Sequence, residues 1–128
     1  MPIRKKILLV EDDSFLRDIC LKKLNKEGFE AVSAVDGEEA IKKAGEFKPD
    51  LVLLDIILPS IDGFEVLRAL RASADNTVKD APVIMLTNLG QEEDIAKAMK
   101  LGATDYLIKA HFTTEEIVKK VKNKLGVK

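Results

Sequence analysis

Six side chains able to do chemistry follow short apolar runs: Glu11, Asp12 and Asp13 after Ile7–Val10, Asp55 after Leu51–Leu54, Thr87 after Val83–Leu86, and Lys109 after Tyr106–Ile108. Carboxylates gathered at low dielectric raise one another's pKa and destabilise a fold unless positive charge sits among them. Mg²⁺ answers that need, because it is a hard cation that takes oxygen ligands, keeps several waters and binds through one or two carboxylates together with phosphate oxygens. A single histidine and a single cysteine argue against zinc. An aspartate beside such a metal is a nucleophile toward a phosphoryl donor and would give an aspartyl-phosphate. A nearby lysine would neutralise charge on the phosphoryl oxygens and a hydroxyl would donate to one of them. Asp55, Lys109 and Thr87 are the residues for those three roles.

Each of these residues also has a structural role open to it. Asp13 or Ser14 would cap a helix, Asp55 would shape the turn into Leu58-Pro59, Thr87 would cap a loop, and Lys109 would stand free on the surface. Their convergence on the ends of successive strands favours a common site. That convergence depends on the elements between them. Strand-length apolar runs occur at Ile7–Val10, Leu51–Leu54 and Val83–Leu86, with weaker ones at Ala31–Val35 and Tyr106–Ile108. Helical periodicity, clearest in Leu16, Ile19, Cys20 and Leu24, predicts helices over Ser14–Lys26, Glu38–Phe47, Gly63–Ala72, Gln91–Leu101 and Thr114–Leu125. Gly28, Asp36-Gly37, Lys48-Pro49-Asp50 and Gly102 punctuate them, and Thr113 with Glu116 forms a candidate capping box. Ser73–Ala81 reads as a polar surface loop. Five strands alternating with five helices imply an α/β fold: one parallel sheet with helices on both faces. Ligands of such sheets sit beyond the carboxyl ends of the strands, where strand order reverses.

At this point the chain resembles the receiver domains of two-component response regulators, including the stand-alone chemotaxis type, over essentially its whole length. The motifs are Val10-Glu11-Asp12-Asp13, Asp50-Leu51-Val52-Leu53-Leu54-Asp55 with the Pro59 and Gly63 that follow, Thr87, and Tyr106-Leu107-Ile108-Lys109. The resemblance implies a flavodoxin-like doubly wound (βα)5 sheet of order 2-1-3-4-5, one domain over residues 1–128, with Asp55 as phosphoacceptor. It implies Mg²⁺ held by Glu11, Asp12, Asp55 and the carbonyl of Ile57, with Arg17 five residues after Asp12 as the pattern has it and Asp13 left as a cap. It further implies Lys109 as the partner of the phosphoryl group, and Thr87 with Tyr106 as a switch that reports phosphorylation. Two positions depart from the pattern. Ala110 stands where proline is usual, and a cis bond before a residue other than proline costs about 2.5–4 kcal/mol, so the segment 110–113 is expected to be built differently and to aim Lys109 less rigidly. Asn88 stands where a small residue is common. His111 has no partner histidine or cysteine and reads as a surface residue.

Composition limits the alternatives. With 46% hydrophobic and 34% charged residues the chain has a globular balance, and no apolar run approaches the roughly 20 residues of a membrane span. Lone Cys20 reads as a buried thiol, which suits a cytoplasmic protein. A net charge of −1 gives no general attraction to nucleic acid, and the lysines of residues 119–128 read as a solvated helix end. The expected partners are a histidine kinase or phosphotransfer protein as donor and a downstream protein, or a second copy in a homodimer, on the face formed by the fourth long helix, fifth strand and last helix. Substitution of Ile95 or Ala98 there is expected to alter partner binding alone. No turnover of an external metabolite is expected. Because Leu125–Lys128 leave no room for an effector domain, the chain is expected to act through protein contacts or to be cut from a longer protein. A flavodoxin-like mononucleotide binder is disfavoured by an acidic first loop, where backbone donors would be wanted. An unphosphorylated pseudo-receiver would keep the fold and lose the chemistry.

Overall fold

The computed structural model describes residues 4–88, 92–111 and 113–127; the side chain of His111 lies outside the described residues. Its five strands are β1 Lys6–Val10, β2 Glu30–Ala34, β3 Leu51–Asp55, β4 Val83–Thr87 and β5 Asp105–Ile108. They form one parallel sheet in the order β2-β1-β3-β4-β5. The helices are α1 Ser14–Lys26, α2 Gly37–Phe47, α3 Gly63–Arg71, α4 Asn76–Lys79, α5 Glu92–Lys100 and α6 Thr114–Leu125. No helix among the described residues is long and apolar enough to cross a membrane.

Period-two alternation divides each central strand between two cores, which is why those strands read as unbroken apolar runs. Ile7, Leu9, Leu51, Leu53, Ile84 and Leu86 face α1 and α6, packing on Cys20, Leu24, Ile117, Val118 and Val121. Leu8, Val10, Val52, Leu54, Val83 and Met85 face α2, α3 and α5, packing on Ala40, Ala44, Val66, Leu67, Leu70 and Ala98. Burial pushes the Cys20 thiol up to about 11, as suits a packing residue.

The helix ends follow their capping residues. Asp13 Oδ1 accepts from the Leu16 N–H at 3.1 Å, Asp36 Oδ1 from Glu39 at 2.8 Å and Asp62 Oδ1 from Glu65 at 3.0 Å. Thr113 Oγ1 accepts from the Glu116 N–H at 3.3 Å, the first half of the expected box, while its hydroxyl lies 3.4 Å from Glu116 Oε1. Three of the terminal lysines are engaged: Lys120 and Lys124 pair with Asp105, and Lys122 pairs with Glu27.

Two expectations are corrected. Ser73–Ala81 holds the short helix α4, capped by Asp75 Oδ1 on the Thr77 N–H at 2.8 Å and anchored by buried Val78. Ala98, expected on a contact surface, is a core residue 1% exposed, so its substitution would disturb packing rather than a partner. Met99 and Tyr106 are the exposed apolar residues on that side.

Candidate functional site

Register alone brings the site together. Val10 pairs with Leu54, so Glu11 and Asp55 emerge side by side at the centre of the sheet. Asp55 pairs with Leu86 and Thr87 with Ile108, so Thr87 and Lys109 follow at the same edge. The loop after β1 leads to α1 on one face while the loop after β3 leads to α3 on the other, which opens the crevice between them.

Close backbone approach shapes that crevice. A Cβ on Gly63 would lie 2.3 Å from the carbonyl oxygen of Asp55, so only glycine lets α3 start directly beneath the aspartate. The Gly63 N–H donates to Ile56 O at 2.8 Å, and the Ile57 N–H to Asp55 Oδ1 at 3.1 Å. On the β1 side Arg17 reaches back from α1, donating to the carbonyls of Glu11 at 3.0 Å and Asp12 at 3.3 Å, and so fixes the acidic loop.

Glu11, 1% exposed, and Asp55, 4% exposed, are buried carboxylates. Lys109 directly follows β5, two strands away from β3, and its long side chain spans that distance. Its Nζ donates to Asp55 Oδ2 at 2.6 Å and lies 2.6 Å from Glu11 Oε1. The second contact is an ion pair without the angles of a hydrogen bond, so Glu11 Oε1 is a buried oxygen with no donor aimed at it. Burial is the main cause that pushes the Glu11 carboxyl up to about 7; Lys109 pulls it back and Asp55 pushes it further. Burial works to lower the Lys109 pKa, but Asp55 and Glu11 outweigh it and hold the ammonium above its ordinary value. With alanine after it, Lys109 opens a 3-10 turn over Lys109–His111, no peptide bond among the described residues is cis, and the ammonium still meets both acids.

One carboxylate oxygen from each of Glu11, Asp12 and Asp55 lies within 4.8 Å of the others. This all-oxygen set, with two buried carboxylates sharing one ammonium and exposed Asp12 at its mouth, fits a hard divalent cation. Asp13 is turned away as the α1 cap. Ile57 stands 66% exposed beside Asp55. Thr87 is buried, but its hydroxyl donates to the neighbouring Asn88 carbonyl at 3.1 Å instead of toward Asp55. Tyr106 lies on β5 with its side chain 38% exposed. Sequence reasoning missed Asp94, which lines a cavity with Asp55, Ile56, Ile57, Thr87 and Asn88. Its only sequence signal is a place in the acidic first turn of α5.

The chain is similar to known proteins in sequence and in fold. The chain is 39% identical over 120 residues to the alkaline phosphatase synthesis transcriptional regulatory protein PhoP of Bacillus subtilis (strain 168), covering 94% of this chain and 48% of that protein. It is 39% identical over 117 residues to the DNA-binding dual master transcriptional regulator RpaA of Synechocystis sp. (strain PCC 6803), covering 91% of this chain and 47% of that one. It thus spans about half the length of these curated relatives. Among solved structures, the chemotaxis response regulator CheY4 of Vibrio cholerae superimposes with a TM-score of 0.85 at 30% identity, over 94% of this chain and 98% of that one. The receiver domain of the sensor histidine kinase PA1611 from Pseudomonas aeruginosa PAO1, with a magnesium ion coordinated in its active-site cleft, gives 0.85 at 28% identity, over 97% and 99%. With residues 7–122 matching the response regulator receiver domain family, the chain belongs to that family, the receivers of two-component signalling.

Proposed function

We propose that Asp55 of this receiver accepts a phosphoryl group from the phosphohistidine of a kinase or phosphotransfer protein, and that the modified site then changes the α5–β5–α6 surface. The observation that carries this reading is the ammonium of Lys109 held 2.6 Å from both Asp55 and Glu11. An Asp55 oxygen attacks phosphorus, the new oxygen–phosphorus bond forms as the donor's nitrogen–phosphorus bond breaks, and the electron pair leaves with the imidazole, which takes a proton from solvent. Lys109 exchanges its carboxylate contact for a phosphoryl oxygen without leaving the site. Glu11, Asp12, Asp55 and the Ile57 carbonyl are the groups that would hold Mg²⁺, which when bound supplies positive charge against the phosphoryl oxygens. Later attack by water breaks the Asp55–phosphoryl bond, returns the carboxylate and releases inorganic phosphate.

The response begins at Thr87. Its hydroxyl, now spent on Asn88 O, gains a charged acceptor once a phosphoryl group stands on Asp55, and a charge-assisted bond is roughly twice as strong as a neutral one. Movement of Thr87 inward vacates space for the Tyr106 ring, and the two positions of that ring define two surfaces. The whole chain acts as one receiver unit, with a downstream protein or a second copy meeting the face that carries Tyr106 and Met99. The test is intact mass after incubation with Mg²⁺ and acetyl phosphate. One phosphoryl group is expected on the wild type, and none on Asp55→Asn or without metal. No adduct on folded wild type would favour an unphosphorylated interaction domain.

A further inference from the structure

The cavity beside Asp55 has a volume of about 320 Å³, and its wall carries one charge with no part in the reading above, that of Asp94. Asp94 lies in the first turn of α5 with Glu92 and Glu93. Acids there meet the positive end of the helix, a service that Glu92 and Glu93 perform from exposed positions. Asp94 differs from them in being half-buried and in lining the cavity. Among the described residues no ion pair involves it. Lys97, nearly one turn further along α5, holds its ammonium 4.2 Å from the centroid of the Phe64 ring. The space that an incoming phosphoryl group must fill is therefore bounded by Asp55 on one side and on another by a carboxylate that makes no ion pair among the described residues.

We infer that Asp94 is a specificity-determining residue for the phosphoryl donor, its carboxylate selecting against donors that arrive as dianions. This rests on Asp55 being the acceptor. The repulsion grows in proportion to donor charge. At neutral pH acetyl phosphate is a dianion, whereas phosphoramidate, protonated on nitrogen, carries one net negative charge. With either donor the Asp55 oxygen–phosphorus bond forms while the bond from phosphorus to the leaving group breaks, and acetate or ammonia departs with the electron pair.

The experiment follows the rate of phosphoryl gain by intact mass, in Mg²⁺, with each donor. Asp94→Asn is expected to speed modification by acetyl phosphate about fivefold and by phosphoramidate about twofold, the unequal gain marking an effect of charge. Added salt should speed the wild type with acetyl phosphate and leave Asp94→Asn nearly unchanged. Asp94→Glu should keep wild-type discrimination. Glu93→Gln, which removes an acid from the same helical turn at an exposed position, should leave both rates alone. Equal rates for wild type and Asp94→Asn, equal gains with the two donors, or the same gains in Glu93→Gln would overturn the inference while leaving Asp55 as acceptor. A wild type modified by neither donor would overturn the acceptor assignment and this inference with it.

Discussion

On the β1–β3 side of the carboxyl edge, Glu11 and Asp55 are buried and one ammonium stands 2.6 Å from an oxygen of each. On the β4–α5 side, Thr87 is buried as deeply, yet its hydroxyl reaches only the carbonyl of the next residue, and Tyr106 on the adjacent strand is partly in solvent. The first region is held by charges that cannot part without leaving one of them unpaired at low dielectric. The second is held by one local neutral hydrogen bond, worth about 1 kcal/mol net. Chemistry needs the fixed arrangement because aim and charge must be ready before the donor arrives. A response needs the loose one, because a single modification can shift only an equilibrium whose two states lie within a few kcal/mol.

The comparison breaks most readily at Lys109. Lys109→Met leaves two buried carboxylates facing each other and should cost about 3–5 kcal/mol in urea unfolding. Adding Glu11→Gln should return part of that loss; a single variant as stable as wild type would mean that the charges are not interdependent. Gly63→Ala tests the same region through its backbone. The new Cβ would sit 2.3 Å from Asp55 O and 2.8 Å from Ile56 Cα, atoms that cannot yield as a flexible side chain would. A loss of about 2–3 kcal/mol is expected, with slower phosphoryl gain on Asp55.

The fixed region was the more legible of the two in sequence, and the reason is physical. Apolar runs place strand ends to within a residue, and parallel register then sets Glu11, Asp55 and Lys109 along one edge whatever else the chain does. Side-chain aim in the loose region depends on local hydrogen bonds, such as that of Thr87 to the Asn88 carbonyl, that no periodicity encodes. Ala98 reads like a surface residue but turns into the core, and Asp94, four residues earlier, turns toward the cavity. The four residues of α4 are too few to show a period. Their one signal in the sequence is Asp75, a capping residue type; the link from Arg71, whose guanidinium donates to the carbonyls of Lys79, Ala81 and Gly102, is seen only in the structure.

A smaller effect sharpens the second region. Thr87→Val keeps the shape and removes the hydroxyl, so stability should change by about 1 kcal/mol or less. Tyr106 is the only tyrosine and the chain has no tryptophan, so intrinsic emission near the tyrosine wavelength reports on this ring alone. Phosphorylation is expected to change that emission in wild type and to leave it unchanged in Thr87→Val, while the mass gain on Asp55 persists. An emission change of equal size in the variant would separate Tyr106 from Thr87 and dissolve the idea of a joint switch.

The smallest effect lies just beyond the loose region, where Asp105 joins β5 to α6 through Lys120 at 3.2 Å and Lys124 at 3.0 Å. Burial works to raise its pKa, but the Tyr106 N–H and the two ammonium groups hold the carboxyl below its ordinary value of 3.8. A carboxyl depressed on folding stabilises the protein above its unfolded pKa, and the contribution fades as pH falls through the folded value. Asp105→Asn should therefore lower the free energy of urea unfolding modestly at neutral pH, by well under ~1 kcal/mol because the pair is partly screened by solvent. The gap from wild type should narrow below pH 3.8 and nearly close once the carboxyl is protonated in both states. A gap that persists unchanged in acid would show that Asp105 acts through the shape of the β5 entry and its bond to the Tyr106 N–H, tying the exposed ring's strand to the sheet rather than to α6.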